Sequence, residues 1–193
     1  NISYDHTSIL GHTLEKIAFE KAGIIKENIP VVVGETQPET SKIFVDVASG
    51  MNSSISFADQ EVTIHNHNNG IYSATQKGKP EIANIELELK GIYQQRNLAT
   101  VLSAIDTLTN RGFIIQERNI IDGLKNVVSV TGLMGRWQEI GKDPRIICDT
   151  GHNEAGIRFV VDQLQNEPHD QLHIVFGMVN DKDVESILAL LTT

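Results

Sequence analysis

The sequence predicts an α/β fold, and three observations predict it. Val31-Val32-Val33 is a short β-branched run, bounded by Pro30 and Gly34, that leads into a helix-spaced stripe at Ile43, Phe44 and Val47. Ile85, Leu87 and Leu89 alternate with Glu86, Glu88 and Lys90, and then Leu98, Val101, Leu102, Ile105 and Leu108 take up helical spacing. A third apolar run, Arg145 to Cys148, meets a polar cluster and then a helix from Ile157 to Leu164. Strands alternating with helices are the pattern of parallel sheets with crossover helices.

Taken in order, the chain opens with a polar approach, Asp5 and His6, to a helix from Thr13. Leu14, Ile17 and Ala18 set its inward stripe, and Lys21 falls on the next position of that stripe. A lysine so placed finds an anion, snorkels past Gly23, or loses its charge, because desolvation penalises the ammonium form. A neutral amine can react with carbon dioxide to a carbamate, which is an oxygen donor for Mg²⁺, and His6 could add a nitrogen to the same centre. Lys16 and Glu20 form an ordinary i, i+4 pair on the outer face.

After the helix of Pro38 to Gly50, the segments Ile55 to Ala58, Val62 to Ile64 and Ile71 to Ala74 read as short strands. His65 and His67 lie in a turn-rich run, HNHNNG, with no thiolate or carboxylate at ligand spacing, which reads as a solvated hairpin tip. Tyr93, Gln94 and Asn97 gather where the 85–90 strand turns into its helix. There Asn97 either caps the helix or, with Gln94, offers the donor and acceptor that match an adenine edge.

Arg111-Gly112 closes that helix, and Ile120, Ile121 and Leu124 mark another that ends near Val127. The glycines of Ser129 to Gly135 interrupt the periodicity, so a boundary divides the chain into 1–132 and 133–193. In the second part Arg136 offers a planar fork for phosphate oxygens. Asp149, His152 and Asn153 follow the 145–148 strand, at the end where open α/β sheets bind ligands. Asp149 suits ribose hydroxyls, Asn153 suits a helix cap, and His152 is either a hydrogen-bonded loop residue or a catalyst. Ile174-Val175-Phe176 reads as a buried strand, with Asp181, Lys182 and Asp183 beyond it as either solvated charges or ligand contacts. Ile187, Leu188 and Leu191 begin a last helix.

The 193 residues, 40% hydrophobic, suffice for one large domain or two small ones. A formal charge of −9 argues against general nucleic-acid binding, and no stretch approaches the roughly eighteen apolar residues of a membrane span. The single cysteine, Cys148, and the absence of a signal-like start lead to the expectation of a cytoplasmic protein.

The run DHTSILGHTLEKIAFEKAGIIK, with the Tyr-Gln then Asn pattern at 93–97, Arg136 and the Asp-x-x-His-Asn motif at 149–153, resembles the folylpolyglutamate synthase and dihydrofolate synthase family of the Mur ligase superfamily. His12, Thr150 and Gly151 depart mildly from its pattern. The resemblance implies the second half of a P-loop-type central ATPase domain followed by the start of a Rossmann-like C-terminal domain. It implies ATP and Mg²⁺ as cofactors, and L-glutamate with dihydropteroate or a reduced folate as substrates, in a monomeric ligase that works through an acyl phosphate.

Carried over residue by residue, it makes His6 a metal ligand and Lys21 a carbamylated catalytic residue. Asn97, Gln94, Arg136 and Asp149 become ATP contacts, and His152 lies near the chemistry. No G-x-x-x-x-G-K-[ST] loop occurs in the sequence, and the family's phosphate loop lies upstream of its Asp-His motif, so these residues alone are expected not to turn over. A cell-wall Mur ligase and a non-catalytic nucleotide-binding module are the alternatives.

Overall fold

The computed structural model of the chain describes residues 1–5, 7–67, 70–179 and 184–191. His6 and the charged run Asp181, Lys182 and Asp183 lie outside the described residues.

A short α1, Thr7–Leu10, precedes α2, Leu14–Ala22, whose first turn is closed by Thr13 Oγ1 accepting from the Lys16 amide at 3.3 Å. Ile17, Ala18 and Ala22 are buried, whereas Lys21 is exposed, which corrects the expectation of an inward lysine. The stripe steps by four from Ala18 to Ala22 and by three to Ile25, and this leaves Lys21 on the solvent side of it. Strand β1, Val31–Val33, pairs in parallel with β2, Ile55–Phe57, across the crossover helix α3, Pro38–Gly50. Pro38 at the first helical turn has no amide to leave unpaired. Ala18, Ala22, Ile25, Phe44 and Ala48 form the core shared by α2 and α3.

One helical turn, α4, Ala58–Glu61, shortens the expected 55–58 strand and redirects the chain into an antiparallel sheet. This sheet is β3, Val62–Asn66, β4, Ile71–Gln76, and β5, Ile82–Glu86, in that order. His65 Nε2 meets Thr75 Oγ1 at 3.2 Å and His67 Nε2 meets Ser73 Oγ at 2.8 Å, so both rings bond across the hairpin. Strand β5 begins and ends earlier than the alternation at 85–89 suggests. Ile85 and Leu87 are nonetheless both buried, with Val62, Ala74, Leu98, Ala99 and Leu102, between the sheet and helix α5, Gln94–Asn110. Each of the Val, Ile and Leu side chains among them contributes about 1.5–3 kcal/mol on full burial.

Two further helices, α6, Glu117–Lys125, and α7, Val127–Thr131, occupy the stretch read as one helix and a loop. Gly132 ends α7 in the left-handed conformation at φ 70°. Glu88 Oε2 accepts from the Val128 amide at 2.6 Å, which satisfies one donor of the α7 start and lets the helix form across the expected break. Beyond it, β6, Gln138–Lys142, makes an antiparallel hairpin with β7, Arg145–Cys148, where the sequence pattern predicts a strand only at 145–148. Helix α8, Glu154–Asn166, follows, and α9, Val184–Leu191, packs against it. The 174–176 segment is not a strand: Ile174 is exposed and Val175 is 101% exposed. Strand geometry needs a hydrogen-bonded neighbour, and among the described residues β7 pairs only with β6.

Candidate functional site

The site begins at the turn between β5 and α5. Gly91 is buried there because a Cβ would lie 2.6 Å from Cε1 and Cζ of Tyr93, whose ring rests against it. Tyr93 is the residue before the first turn of α5. In that turn Gln94 is buried and its Oε1 accepts from Asn97 Nδ2 at 2.9 Å. Asn97 therefore does not cap the helix. It is exposed within the first turn, its carboxamide fixed by Gln94 from behind.

The opposite wall comes from residues 135–156. Gly135, at φ +71°, approaches Thr150 so closely that a Cβ would lie 2.5 Å from Thr150 Cγ2, and the Thr150 amide donates to the Gly135 carbonyl at 3.0 Å. Arg136 Nη1 donates to the Gly135 carbonyl at 3.1 Å and bonds to Thr150 Oγ1. Trp137 is buried and takes a positive φ of 48°, unusual for a bulky residue, and this turns its amide toward Asp149.

Asp149 ties the walls together. Its Oδ2 accepts from the Tyr93 hydroxyl at 2.8 Å and from the Trp137 amide at 2.7 Å, and its Oδ1 accepts from the Gly151 amide at 2.7 Å. Burial, then the hydrogen bond to Asp149 and its negative charge, raise the Tyr93 phenol well above the ordinary tyrosine range, with Arg136 opposing weakly. The phenol therefore stays a donor. Asn153 caps α8 by accepting from the Gly156 amide at 2.8 Å, and its Nδ2 donates to Asp5 Oδ2 at 3.3 Å. His152 faces two oxygen acceptors, the Thr150 carbonyl at 2.9 Å from Nδ1 and Asp5 Oδ2 at 3.3 Å from Nε2.

Tyr93, Thr150, Gly151 and Asn153 help to line one cleft of about 280 Å³. It brings together Asn97, Arg136, Asp149 and His152, residues up to 55 positions apart (152 − 97). Gln94 stands behind Asn97 rather than in the lining, and Lys21 is not in the lining either. The cleft also holds residues the sequence did not single out. Phe159 lies 6.2 Å from Tyr93 between ring centroids, and the Arg96 guanidinium stacks 5.1 Å over Phe159. The one available signal for this wall is the spacing of Gly156, Phe159 and Gln163 at i, i+3 and i+7 on α8. Chemically, the cleft offers two guanidinium groups, Arg96 and Arg136, carboxamides, the carboxylates of Glu35 and Asp149, and the N-terminal turn of a 13-residue helix, a set of groups suited to a phosphorylated ligand.

Among the described residues no three His, Cys, Asp or Glu side chains converge to hold a metal, and no helix is long and apolar enough to cross a membrane.

Residues 135–192 match the family described as Mur ligase, glutamate ligase domain. The chain is 28% identical to a folylpolyglutamate synthase of Lacticaseibacillus casei over 99% of its own length and 45% of the relative's. It is 32% identical to an Escherichia coli dihydrofolate synthase/folylpolyglutamate synthase over 99% of itself and 42% of the relative. Among solved structures, a complex described as FPGS-AMPPCP-folate superposes with a TM-score of 0.85 at 28% identity, over 99% of this chain and 47% of that one. An E. coli FolC in complex with DHPP and ADP gives 0.81 at 29% identity, over 98% of this chain and 43% of that one. The chain thus spans a little under half the length of the curated relatives it matches, and they are its homologues along essentially all of it.

Proposed function

We propose that this chain, a homologue of the folylpolyglutamate and dihydrofolate synthases with a Mur ligase domain at 135–192, is part of an ATP-dependent ligase. The reaction is the addition of L-glutamate to dihydropteroate or a reduced folate. The γ-phosphate of ATP passes to the acceptor's carboxylate, and the amine of glutamate then displaces phosphate from the acyl phosphate, leaving an amide. The observation that carries the reading is the assembly of Asn97, Arg136, Asp149 and His152 in one cleft whose donors suit a nucleotide. Related structures are described with AMPPCP and folate, with DHPP and ADP, and with Mn, AMPPNP and L-glutamate.

In this reading Arg136 neutralises phosphate oxygens as charge shifts between them, the positioning and electrostatic work on which phosphoryl transfer depends. The Asn97 carboxamide, held by Gln94, presents a fixed donor and acceptor to the adenine edge. Asp149 spends three of about four acceptor positions on Tyr93, Trp137 and Gly151, which leaves one for a ribose hydroxyl. His152 lines the cleft, anchored to Thr150 and Asp5, and orders the loop beside the reacting groups.

For the divalent cation that accompanies the nucleotide, the chain's contribution is His6, next to Asp5, and a carbamylated Lys21. When bound, the cation supplies charge neutralisation between carboxylate and phosphoryl oxygens. The described residues alone do not make its site. Because Lys21 is exposed, its carbamylation needs an origin other than desolvation; electron density showing a plain amine at Lys21 in the liganded protein would remove this assignment.

The division at 132/133, a cytoplasmic location, a monomeric state and the absence of a nucleic-acid partner complete the proposal, the last supported by the net charge of −9. The test is phosphate release by the full-length protein with MgATP and L-glutamate, offering dihydropteroate, tetrahydrofolate or a nucleotide-linked muramoyl acceptor in turn. Turnover on a pteridine is expected. Turnover on the muramoyl acceptor alone, or ATP binding with no turnover on any acceptor, overturns the assignment.

A further inference from the structure

Helix α8 carries a buried amide that its amphipathic pattern does not require. Gln163 is only 8% exposed, about one helical turn beyond the cleft-lining Phe159, and both ends of its carboxamide are engaged by the backbone of the β5–α5 turn. Gln163 Oε1 accepts from the Ile92 amide at 2.8 Å, and Gln163 Nε2 donates to the Lys90 carbonyl at 3.0 Å. The orientation of the amide is fixed by its partners, because an amide hydrogen can only be met by oxygen and a carbonyl only by NH₂.

The geometry is that of one rung of a parallel sheet, in which the N–H and C=O of a single residue bond the carbonyl before and the amide after the residue it faces. The residue faced is Gly91. Gly91 in turn carries the Tyr93 ring against it, and Tyr93 reaches Asp149. A continuous chain of contacts therefore runs from α8 through the 90–92 backbone to Tyr93, Asp149 and the Trp137 amide. Its first link joins segments more than seventy residues apart in sequence.

We infer that Gln163 is a positioning residue: by acting as a surrogate strand rung on Lys90 and Ile92, it sets the spacing between the Tyr93–Asn97 wall and the Arg136–Asp149 wall of the cleft. It touches neither ligand nor reacting atoms and is not a cleft-lining residue. An apolar side chain of the same size would fill the space, leave a buried amide and carbonyl without partners, and free the turn to drift relative to Asp149. Misplacement of a binding wall by about 1 Å can cost as much as a hundredfold in rate. The functional consequence rests on the proposed nucleotide site, whereas the mechanical one does not.

The experiment compares the full-length protein with Gln163→Met and with Ile157→Val, a buried core change on the same helix that serves as a control for stability alone. Amide hydrogen exchange, ATP affinity, and KM and kcat for ATP are read for each. In Q163M the amides of Ile92 and Trp137 are expected to exchange at least about tenfold faster than in the wild type, and the KM for ATP to rise about tenfold or more with a smaller change in kcat. In I157V both stay at wild-type values although the melting temperature falls. The inference is overturned if Trp137 exchange is unchanged in Q163M, if ATP affinity is unchanged while Ile92 exchange accelerates, or if I157V weakens ATP as much as Q163M does. A wild-type protein that shows the coupled amides yet has no ATP affinity overturns the nucleotide reading, and with it the effect on KM, while the mechanical link stands.

Discussion

The Tyr93 hydroxyl donates to Asp149 Oδ2 at 2.8 Å, joining residues 56 positions apart. The turn before α5 and the strand end after β7 thus meet at one carboxylate, and the cleft lies between them.

This contact is sensitive to high pH. Burial and Asp149 raise the phenol's pKa in the folded state above its unfolded value, so folding retains the proton more tightly than the unfolded chain does. The resulting stabilisation is fully present below the ordinary tyrosine range and is lost as pH rises above it. A pH series of melting temperatures is expected to fall more steeply above pH ~10 for the wild type than for Tyr93→Phe. Equal slopes would contradict the contact. At neutral pH, Y93F removes one hydrogen bond to a charged acceptor and is expected to lower stability by about 1.5–3 kcal/mol.

Asp149→Asn keeps the shape but not the acceptors. Its amide nitrogen would face a hydrogen-bond donor at one or more of the positions now held by Tyr93, Trp137 and Gly151. We expect a loss of about 1–3 kcal/mol, together with faster exchange of the Trp137 or Gly151 amide. Wild-type exchange at both would mean that the carboxylate does not organise the loop.

Asn153→Ala removes the α8 cap to Gly156 and the contact with Asp5. The cap alone accounts for about 1 kcal/mol, which corresponds to a melting temperature lower by roughly 2–4 °C in a domain of this size. Calorimetry showing no change would place the α8 start under the control of other contacts.

The helices and most strands were legible because their signals are local. Leu98 and Leu102 lie on the α5 stripe that packs beneath the sheet, and Asn153 stands at a cap position directly ahead of α8. Lys21 shows the limit of periodicity. The stripe begun by Leu14 and Ile17 allows two continuations, and packing against Phe44 and Ala48 selects the one through Ala22. The 174–176 run has strand composition but no ladder partner among the described residues, and composition cannot supply one. Asn97, Arg136, Asp149 and His152 could be named from sequence, but not their supports. Gln163 and Phe159 act across more than sixty residues, and only folding brings them to Ile92 and Tyr93.

The most direct test of the account is the equilibrium affinity of the full-length protein for ATP with and without the Arg136 guanidinium. Arg136 lines the cleft and is the group to which phosphate binding is assigned. Arg136→Ala is expected to weaken ATP by about ten- to a hundredfold, the equivalent of one charge-assisted contact of roughly 1.5–3 kcal/mol, with the melting temperature little changed. Unchanged affinity in a folded R136A protein would contradict the placement of the nucleotide in this cleft.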